Sequence, residues 1–451
     1  MTHPQQTAPG HPIPLGQKLF YSAGGFAITL LISSTAIFLL NFYTDVALVP
    51  PAIASSALLI GKVWDTLNDP LMGWMSDRTG SRHGRRRVYL IYGALPLVLT
   101  TILLFSVPRG LDSLWAFVWI ALTYTLFDTL FTLVSVPYNA LGAEMTDDYD
   151  ERTSLMAVGA IGTVLGYVLG GVATRTIVGR FTDPGLGYLA VGAIFGGLAG
   201  LALALVAWRV REPARAATVS AQPLLGAMWG TLRNTPFTTL LTAFSLARLA
   251  FTLLQTMLVY HVTYVLGGML PVETVLLILF VIIGAGVPVW KRVADRWGKA
   301  VGYGLGIGLS AFGVLGLFFV GAGQPAAVYA LIGLTGLGMS AHWVLPWAML
   351  PDVVEAAPEG SREAGVYYGV YGLSDKIMRT IGITLPGYVL QAAGYVPNVA
   401  QGAESLLAIR VMFALAPAVL MFLAVPVLLR YPLDRRAHTA LRSEGLSPAG
   451  D

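Results

Sequence analysis

The chain has 451 residues, of which 55% are hydrophobic and only 12% are charged. Soluble proteins carry about 25% charged residues, so this composition predicts an integral membrane protein. The net charge of +4 does not indicate nucleic-acid binding, and the absence of cysteine excludes disulfides, iron–sulfur clusters and thiolate metal sites.

Long apolar segments recur along the chain and predict twelve membrane-spanning helices in an all-α protein. The predicted spans are 17–42, 50–76, 88–107, 113–144, 154–177, 186–208, 236–266, 271–291, 299–321, 325–350, 364–393 and 404–430. The longest polar connection follows the sixth span and divides the spans into two sets of six. The predicted organisation is an N-terminal tail at 1–16, a six-helix bundle at 17–208, a central loop at 209–235, a second six-helix bundle at 236–432 and a C-terminal tail at 433–451.

The distribution of Lys and Arg predicts the orientation of these spans. Of the 28 Lys and Arg residues, 20 fall on one side of the predicted membrane, three on the other and five within spans. Because positive charge collects in cytoplasmic loops, both tails and the central loop are predicted to be cytoplasmic. The predicted location is the inner (cell) membrane of a bacterium.

A charged loop type occurs twice, after the second span and after the eighth. Asp77 and Arg78 begin the first loop, which continues into a run of arginines that includes Arg86. Asp295 and Arg296 stand at the same place in the second half. This repetition predicts two six-helix repeats. The loops are either topology anchors alone or, in the interpretation we favour, a cytoplasmic gate whose charges change partners during transport.

Glycines recur at short spacing in the fifth and ninth spans. They are Gly159, Gly162, Gly166 and Gly170 in the fifth span, and Gly302, Gly304, Gly306 and Gly308 in the ninth. A dinucleotide-binding motif would follow a strand, which neither segment does. Glycine at this spacing within a span predicts close packing between helices.

The second span contains a charged cluster where hydrocarbon is expected. Asp65, Asn68 and Asp69 are spaced i, i+3 and i+4, so they share one face of a helix, and Lys62 precedes them by one turn. Each ionised group at the bilayer centre costs roughly 2.5–3.5 kcal/mol on insertion scales. The cluster therefore holds either a hard cation, which prefers oxygen ligands, or a static ion pair between one aspartate and Lys62 or Lys376.

Three segments carry a family resemblance. Residues 62–87, 136–153 and 350–368 are similar to the second span, the fourth span and the loop between spans ten and eleven of the glycoside–pentoside–hexuronide:cation symporters. That family belongs to the major facilitator superfamily. The resemblance implies a major facilitator fold, in which two six-helix halves surround a central cavity, and a carrier that functions as a monomer.

The resemblance also implies a coupling site. In the family, the carboxylates and the amide of the second span bind Na⁺, Li⁺ or H⁺, and a threonine of the fourth span completes the site. The matching residues here are Asp65, Asn68, Asp69 and Thr132, with Na⁺ expected at Asp65 and Asp69. Lys376 matches a lysine that faces these carboxylates in the family, and Lys62 stands where the family often has arginine.

The substrate positions depart from the galactoside-binding pattern of the family. Gly25 and Ser135 replace two sugar-binding aspartates, and Asn139 replaces an aromatic residue. Asp128 has no counterpart in that pattern and is either a cavity contact or the partner of a neighbouring helix. Trp343 is expected to line the C-terminal half of the cavity, where an aromatic face suits a sugar ring or a lipid chain. Residues 126–138 also resemble the animal sodium-dependent lysophosphatidylcholine symporters.

These observations predict a secondary active transporter that couples a cation, Na⁺ or H⁺, to symport of a sugar, a glycoside or a related small organic solute. The alternatives are symport of a lysolipid or other amphiphile, and H⁺-driven efflux by an antiporter. The sequence shows no nucleophile paired with a base and no ATP-binding loop, so an enzyme or a primary pump is not expected. The expected partners are a small-molecule substrate and the lipid bilayer, with no cofactor and no nucleic acid.

Overall fold

The structure is a computed structural model that describes residues 13–146, 148–210, 212, 224–357 and 364–433. The chain divides into two compact units, Met1–Val219 and Ser220–Asp451. Within the described ranges both units are built of helices without strands, which confirms the all-α class. Most of the predicted N-terminal and C-terminal tails, and residues 211 and 213–223 of the predicted central loop, lie outside the described residues.

The first unit contains six long helices. They are α1 (Leu15–Asn41), α2 (Pro51–Arg78), α3 (Arg87–Leu104), α4 (Ser113–Glu144), α5 (Tyr149–Val178) and α6 (Pro184–Arg209). A π-helical segment, Phe42–Val46, continues α1. These helices follow the first six predicted spans, and α2 continues two residues beyond its predicted end, to Arg78.

The described part of the second unit contains eight helices: a short one, five long ones, and two that together form a sixth long segment. They are α7 (Leu224–Thr231), α8 (Thr235–Tyr260), α9 (Val272–Trp297), α10 (Lys299–Phe319), α11 (Pro325–Glu355), α12 (Ala364–Ala392), α13 (Ala403–Arg410) and α14 (Ala416–Leu429). The π-helical segments His261–Val265 and Val411–Leu415 extend α8 and join α13 to α14. The short helix α7 falls in the predicted central loop, where no helix was expected.

Polar caps mark where several helices begin. The Asp112 carboxylate accepts a hydrogen bond from the backbone N–H of Trp115 at 2.9 Å at the start of α4. Asn234 accepts from the backbone N–H of Phe237 at 3.3 Å and starts α8 in the same way. Such side chains satisfy N–H groups that the first helical turn cannot bond internally.

The same order of helix pairing occurs in each unit. In the first, α1 packs on α5 and α6, α2 packs on α4, and α3 packs on α4 and α6. In the second, α8 packs on α12 and α14, α9 packs on α11, and α10 packs on α11 and α14. This correspondence agrees with the repeated loop motif of the sequence.

Ten helical segments in the described part of the chain are long and apolar enough to cross a membrane. The other two long helices, α2 and α12, have 28 and 29 residues but carry five and three charged residues. Their charge lowers the apolar character of any 18-residue stretch. The count of twelve spans therefore stays a prediction.

The glycines of α5 allow a close approach to α1. A Cβ on Gly162 would lie 2.1 Å from the carbonyl oxygen of Ser22, and one on Gly166 would lie 2.3 Å from that of Phe26. The backbone N–H of Gly162 also donates to Ser22 Oγ at 3.0 Å. The predicted close packing is confirmed for this helix.

The glycines of α10 behave differently on its two faces. A Cβ on Gly306 would lie 2.2 Å from Ala341 in α11, so this face is closely packed as predicted. On the other face, a Cβ on Gly304 or Gly308 would come no nearer than 3.8 Å to any atom. Helix α14 packs against this face as well and Gly304 is buried, but the distance leaves room for a methyl group, so glycine is not required there.

Candidate functional site

Lys62 lies between two carboxylates. Its Nζ is 3.5 Å from Asp65 Oδ2 in the same helix and 3.3 Å from Asp128 Oδ1 in α4. All three side chains are buried, with at most 15% of each exposed. Charge-assisted N–H···O bonds usually measure about 2.7–2.9 Å. Both distances are longer, so the ammonium is shared and a small displacement would favour one carboxylate over the other.

Asp69 forms a second polar contact between α2 and α4. Thr132 Oγ1, which is almost fully buried, donates a hydrogen bond to Asp69 Oδ1 at 2.9 Å. Asn68 beside it is also buried, and its Nδ2 has no hydrogen-bond partner among the described residues. An unsatisfied buried polar group costs about 1–3 kcal/mol. A flip of this amide would present an oxygen ligand at the same point.

Close packing holds the charged face of α2 against α4. A Cβ on Gly61 would lie 2.4 Å from the ring of Tyr124, so only glycine permits this approach. The Lys62 ammonium lies 5.3 Å from the centre of the same ring, within the range of a cation–π interaction. Trp64 Nε1 donates to Thr129 Oγ1 at 2.9 Å and adds a direct bond between the helices.

The facing surfaces of α2 and α4 thus present three carboxylates and one ammonium. Asp65 and Asp128 contact Lys62, and Asp69 contacts Thr132. Within the described ranges, no group of three or more His, Asp or Glu side chains forms a metal-binding cluster. The excess of carboxylate oxygens suits a monovalent cation or a proton, which adds a single positive charge.

Among the predicted coupling residues, Asp69 contacts Thr132 and Asp65 contacts Lys62, and Asn68 is next to Asp69 in α2. Asp128 pairs with Lys62 of the neighbouring helix α2, and its role as a cavity contact stays a prediction. The assignment of a bound Na⁺ to these residues stays a prediction.

The predicted substrate contacts lie in varied surroundings. Ser135 is buried in α4, and Asn139, one turn further along, is exposed. Gly25 is buried against α5, where a Cβ would lie 2.9 Å from Thr163 Oγ1. Trp343 in α11 is 37% exposed. Their role in substrate binding stays a prediction.

The second unit has a charge cluster of its own. The carboxylate of Asp375 in α12 contacts Arg379 Nε, four residues further along the same helix, at 2.8 Å. It also contacts Arg248 Nε of α8 at 2.6 Å. Lys376 follows Asp375 on α12 and belongs to the second unit, so its predicted role beside Asp65 and Asp69 stays a prediction.

Arg86 is the centre of the predicted gate in the first unit. Its guanidinium is buried and donates to Ser76 Oγ at 2.6 Å, to Asp77 Oδ1 at 2.5 Å and to Glu144 Oε1 at 2.9 Å. Burial alone would lower the pKa of Arg86, but the bonds to Glu144 and Asp77 outweigh burial and raise this pKa above its ordinary value. Arg86 therefore joins the ends of α2 and α4 as a permanent cation.

A carboxylate from the end of the first unit caps the helix that follows Arg86. The side chain of Glu212 accepts hydrogen bonds from the backbone N–H of Arg86 at 2.9 Å and of Arg87 at 3.1 Å. Since α3 begins at Arg87, the negative charge meets the free N–H groups and the positive end of that helix. Gly84, with φ of +98°, makes room for it.

Replacing Gly84 with Ala is expected to lower the stability of the first unit by about 1–3 kcal/mol, because a side chain at positive φ is strained. Its Cβ would also lie 2.3 Å from Glu212 Oε2 and displace the cap. The melting temperature of the purified protein measures the effect. Gly80→Ala in the same loop is the control, since a Cβ there meets nothing within 4 Å. Equal melting temperatures for the two variants would contradict the prediction.

The second charged loop has a different geometry. Asp295 forms an exposed i, i+4 pair with Lys291 at 2.8 Å, and the Arg296 guanidinium lies 5.8 Å above the ring of Trp297. In the first loop, similarly, Arg78 stacks 4.5 Å above a tryptophan ring. Arg86 is thus a buried member of its ion-pair network, whereas Asp295 pairs with Lys291 at the exposed surface.

The position that corresponds to Arg86 in the second unit is occupied by Lys299. At the start of α10, its Nζ lies 2.6 Å from Asp352 Oδ2 at the end of α11, as Arg86 at the start of α3 contacts Glu144 at the end of α4. The roles of Glu144, Glu212, Lys299 and Asp352 were not predicted from the sequence. Acidic residues stand at the ends of both span four and span ten, and this repetition could have identified Glu144 and Asp352.

The comparisons with known proteins decide the family. Residues 20–435, nearly the whole chain, match the family described as MFS/sugar transport protein. The chain belongs to this family. The predicted membership of the glycoside–pentoside–hexuronide:cation symporters within the major facilitator superfamily is thereby confirmed.

Three relatives of this MFS/sugar transport protein are symporters or carriers. It is 28% identical to an uncharacterized symporter, YjmB, of Bacillus subtilis (strain 168), with 95% of each chain covered. It is 28% identical to a glucuronide carrier protein homolog of Escherichia coli (strain K12), with 92% of this chain and 91% of the relative covered. It is 26% identical to the sodium-dependent lysophosphatidylcholine symporter 1 of Xenopus tropicalis, with 96% of this chain and 90% of the relative covered.

Solved transporter structures share the fold. The nucleoside transporter NupG aligns with a TM-score of 0.65 over 91% of this chain and 99% of its own, at 12% identity. The MFS/sugar transport protein therefore has the major facilitator fold and is an integral membrane protein. Its relatives and structural neighbours are transporters, and its curated relatives support cation-coupled symport in general.

Proposed function

We propose that this protein is a cation-coupled symporter that carries a sugar, a glycoside or a related small organic solute by alternating access, with Na⁺ as the coupling ion and H⁺ or Li⁺ as alternatives. The observation that carries the proposal is the buried arrangement of Lys62 between Asp65 and Asp128, beside the Asp69–Thr132 contact. Buried charges of this kind in a spanning helix are costly unless they serve transport.

The geometry supports a coupling scheme based on exchange of partners. A cation bound at Asp65 and Asp69, with oxygen ligands from Asn68 and Thr132, would compete with Lys62 for Asp65. The displaced ammonium would move to Asp128, from which it is already only 3.3 Å away. The contact between α2 and α4 would then differ between the loaded and the empty carrier. Lys376 is proposed as a further cationic partner that is exchanged in the same cycle.

The choice of substrate rests on the relatives. The family name and the glucuronide carrier homolog favour a sugar derivative. The lysophosphatidylcholine symporter is related over almost the same length, so an amphiphilic substrate is the alternative. H⁺-driven efflux is a second alternative, which the symporter relatives disfavour. We further propose that the protein lies in the bacterial inner membrane with both termini in the cytoplasm. It is proposed to function as a monomer, with the domain boundaries that the sequence predicts.

Uptake into proteoliposomes tests the function directly. Vesicles with an inward Na⁺ gradient are supplied with a labelled glucuronide, a neutral glycoside or a lysophosphatidylcholine, and choline replaces Na⁺ in the control. We expect accumulation of one sugar derivative above its external concentration with Na⁺ only. Accumulation of lysolipid alone would support the alternative substrate. Extrusion driven by a proton gradient, with no Na⁺ effect, would contradict symport.

A further inference from the structure

Two arginines of the second unit meet at one carboxylate in the middle of their helices. Asp375 of α12 contacts Arg248 Nε of α8 at 2.6 Å through one oxygen, and Arg379 Nε of its own helix at 2.8 Å through the other. The side chains of Arg248 and Asp375 are 12% and 18% exposed, and that of Arg379 is 37% exposed. A guanidinium has five N–H donors, so the Nη groups of Arg379 can bind a second oxyanion while its Nε contacts Asp375.

Aromatic rings hold this contact in place. One turn before Arg248 and Asp375, the rings of Phe244 and Tyr371 stack with 4.1 Å between their centroids. Tyr371 is fully buried, and its hydroxyl has no hydrogen-bond partner among the described residues. Trp347, which is 50% exposed, packs edge-on against the same ring at 5.1 Å. The arginines are therefore held in position close to a hydroxyl donor and to an exposed indole, whose face suits a sugar ring.

Charge in the middle of the helices is unevenly divided between the two units. Within the described ranges, eight charged side chains lie nine or more residues from both ends of their helices. They are Lys62, Asp65, Asp69 and Asp128 in the first unit, and Arg248, Asp375, Lys376 and Arg379 in the second. The first unit thus has an excess of two negative charges and the second an excess of two positive charges. Ionised groups in a membrane interior are costly unless opposite charge accompanies them, so the first unit favours a cation and the second favours an anion.

We propose that the transported solute carries an acidic group, that Arg248 and Arg379 bind this group, and that one cation travels with each anionic solute. The inference rests on the proposed symport and narrows its substrate class to acidic solutes. The acidic group is an oxyanion, a carboxylate or a phosphate, because two oxygens of either match the planar fork of a guanidinium. Asp375 competes with this group for the two arginines. Since the charge excesses of the two units are equal and opposite, joint binding of one Na⁺ and one carboxylate leaves the net charge of the helix interiors unchanged.

Binding to the purified, full-length protein tests the acidic group. The probes are methyl β-glucuronide, methyl β-glucoside and glucose 6-phosphate, and their affinities are measured by isothermal titration with Na⁺ present. We expect the glucuronide to bind at least about tenfold more tightly than the glucoside, because only the glucuronide carries a charge. Tightest binding of glucose 6-phosphate would identify the acidic group as a phosphate. If the glucoside bound as tightly as both acidic probes, the proposal would be overturned.

Three variants distinguish binding of the solute from support of the fold. Arg379→Gln is expected to weaken binding of the glucuronide about tenfold and to leave the glucoside unaffected, since the exposure of Arg379 moderates the loss. Asp375→Asn removes the competing carboxylate and is expected to tighten binding of the glucuronide about threefold. Arg410→Gln is the control, because Arg410 lies on α13 and donates to the carbonyl oxygen of Phe318. Weaker binding in both Arg379→Gln and Asp375→Asn would indicate a structural ion pair and overturn the proposal.

Uptake at two membrane potentials tests the pairing of one cation with one anion. Proteoliposomes with an inward Na⁺ gradient are set with K⁺ and valinomycin to zero or to about 100 mV, negative inside. We expect equal accumulation of the glucuronide at both potentials, whereas movement of one net charge would change its accumulation about 50-fold. Accumulation that depends on the potential would overturn the pairing. Na⁺-driven uptake of the glucoside in preference to the glucuronide would overturn the acidic site and leave the proposed symport intact. Tight binding of the glucuronide without Na⁺-driven uptake would instead contradict the symport and leave the binding site intact.

Discussion

Replacing Asp69 with Asn is expected to reduce Na⁺-driven uptake at least about 100-fold. The amide is nearly the same size and its oxygen can still accept the bond from Thr132, so the fold and the α2–α4 contact should persist. What is lost is one negative charge beside Asn68 and Asp65. Loss of one partner from a buried ionic contact typically costs about 3–5 kcal/mol, which exceeds 100-fold in binding of the cation.

Initial rates of uptake at saturating and limiting Na⁺ measure this effect. The control is Asp112→Asn, because Asp112 only caps the start of α4 and asparagine caps a helix equally well. Exchange of labelled for unlabelled substrate across the membrane shows whether the variant still binds substrate. If Asp69→Asn retained Na⁺-stimulated accumulation, the coupling site proposed here would be wrong.

Replacing Arg86 with Ala is expected to destabilise the first unit by about 3–5 kcal/mol. The guanidinium is buried and bonds Ser76, Asp77 and Glu144, so its removal leaves the half-buried Glu144 with Arg85 alone. Breaking a buried ionic contact costs this much because the remaining charge keeps its desolvation penalty. Asp77 is 46% exposed and contributes little to this figure, since solvent screens its charge.

The loss is measured as a fall in melting temperature and in the yield of folded protein. Arg82→Ala, an exposed arginine of the same loop, is the control and should change neither. Arg86→Lys should be intermediate, because an ammonium keeps the charge but lacks the planar fork that bonds several acceptors at once. Equal stability of Arg86→Ala and Arg82→Ala would show that the network does not hold the ends of α2 and α4 together.

Much of the helical architecture follows from the sequence because most of the spans are continuous apolar segments. The polar face of α2 was also predictable, since Asp65, Asn68 and Asp69 have helical spacing. The partner of Lys62 in α4 was not, although an ion pair with an aspartate of its own helix was one of the alternatives. Asp128 lies 66 residues away along the chain, and the spacing of a single sequence contains no information about which helices meet.

The contacts of the predicted gate residues were equally hard to predict from the sequence. Asp77 and Arg86 stand in a recognisable motif, whereas Glu212 reaches Arg86 from 126 residues away and lies beside the poorly patterned central connection. The glycines of α10 show a related limit. Spacing identifies a glycine face, but only the position of the neighbouring helix decides how closely that face is approached: a Cβ would lie 2.2 Å from α11 at Gly306 and 3.8 Å from α14 at Gly304.

The cap that Glu212 provides has a consequence for how the protein is made. Glu212 follows the sixth helix, and it bonds the start of the third. During synthesis, this bond cannot form until the ribosome has completed all six helices of the first unit. The loop between the second and third helices thus remains without this restraint while the membrane insertion of the remaining helices proceeds. Its final conformation marks the completion of the first half of the carrier.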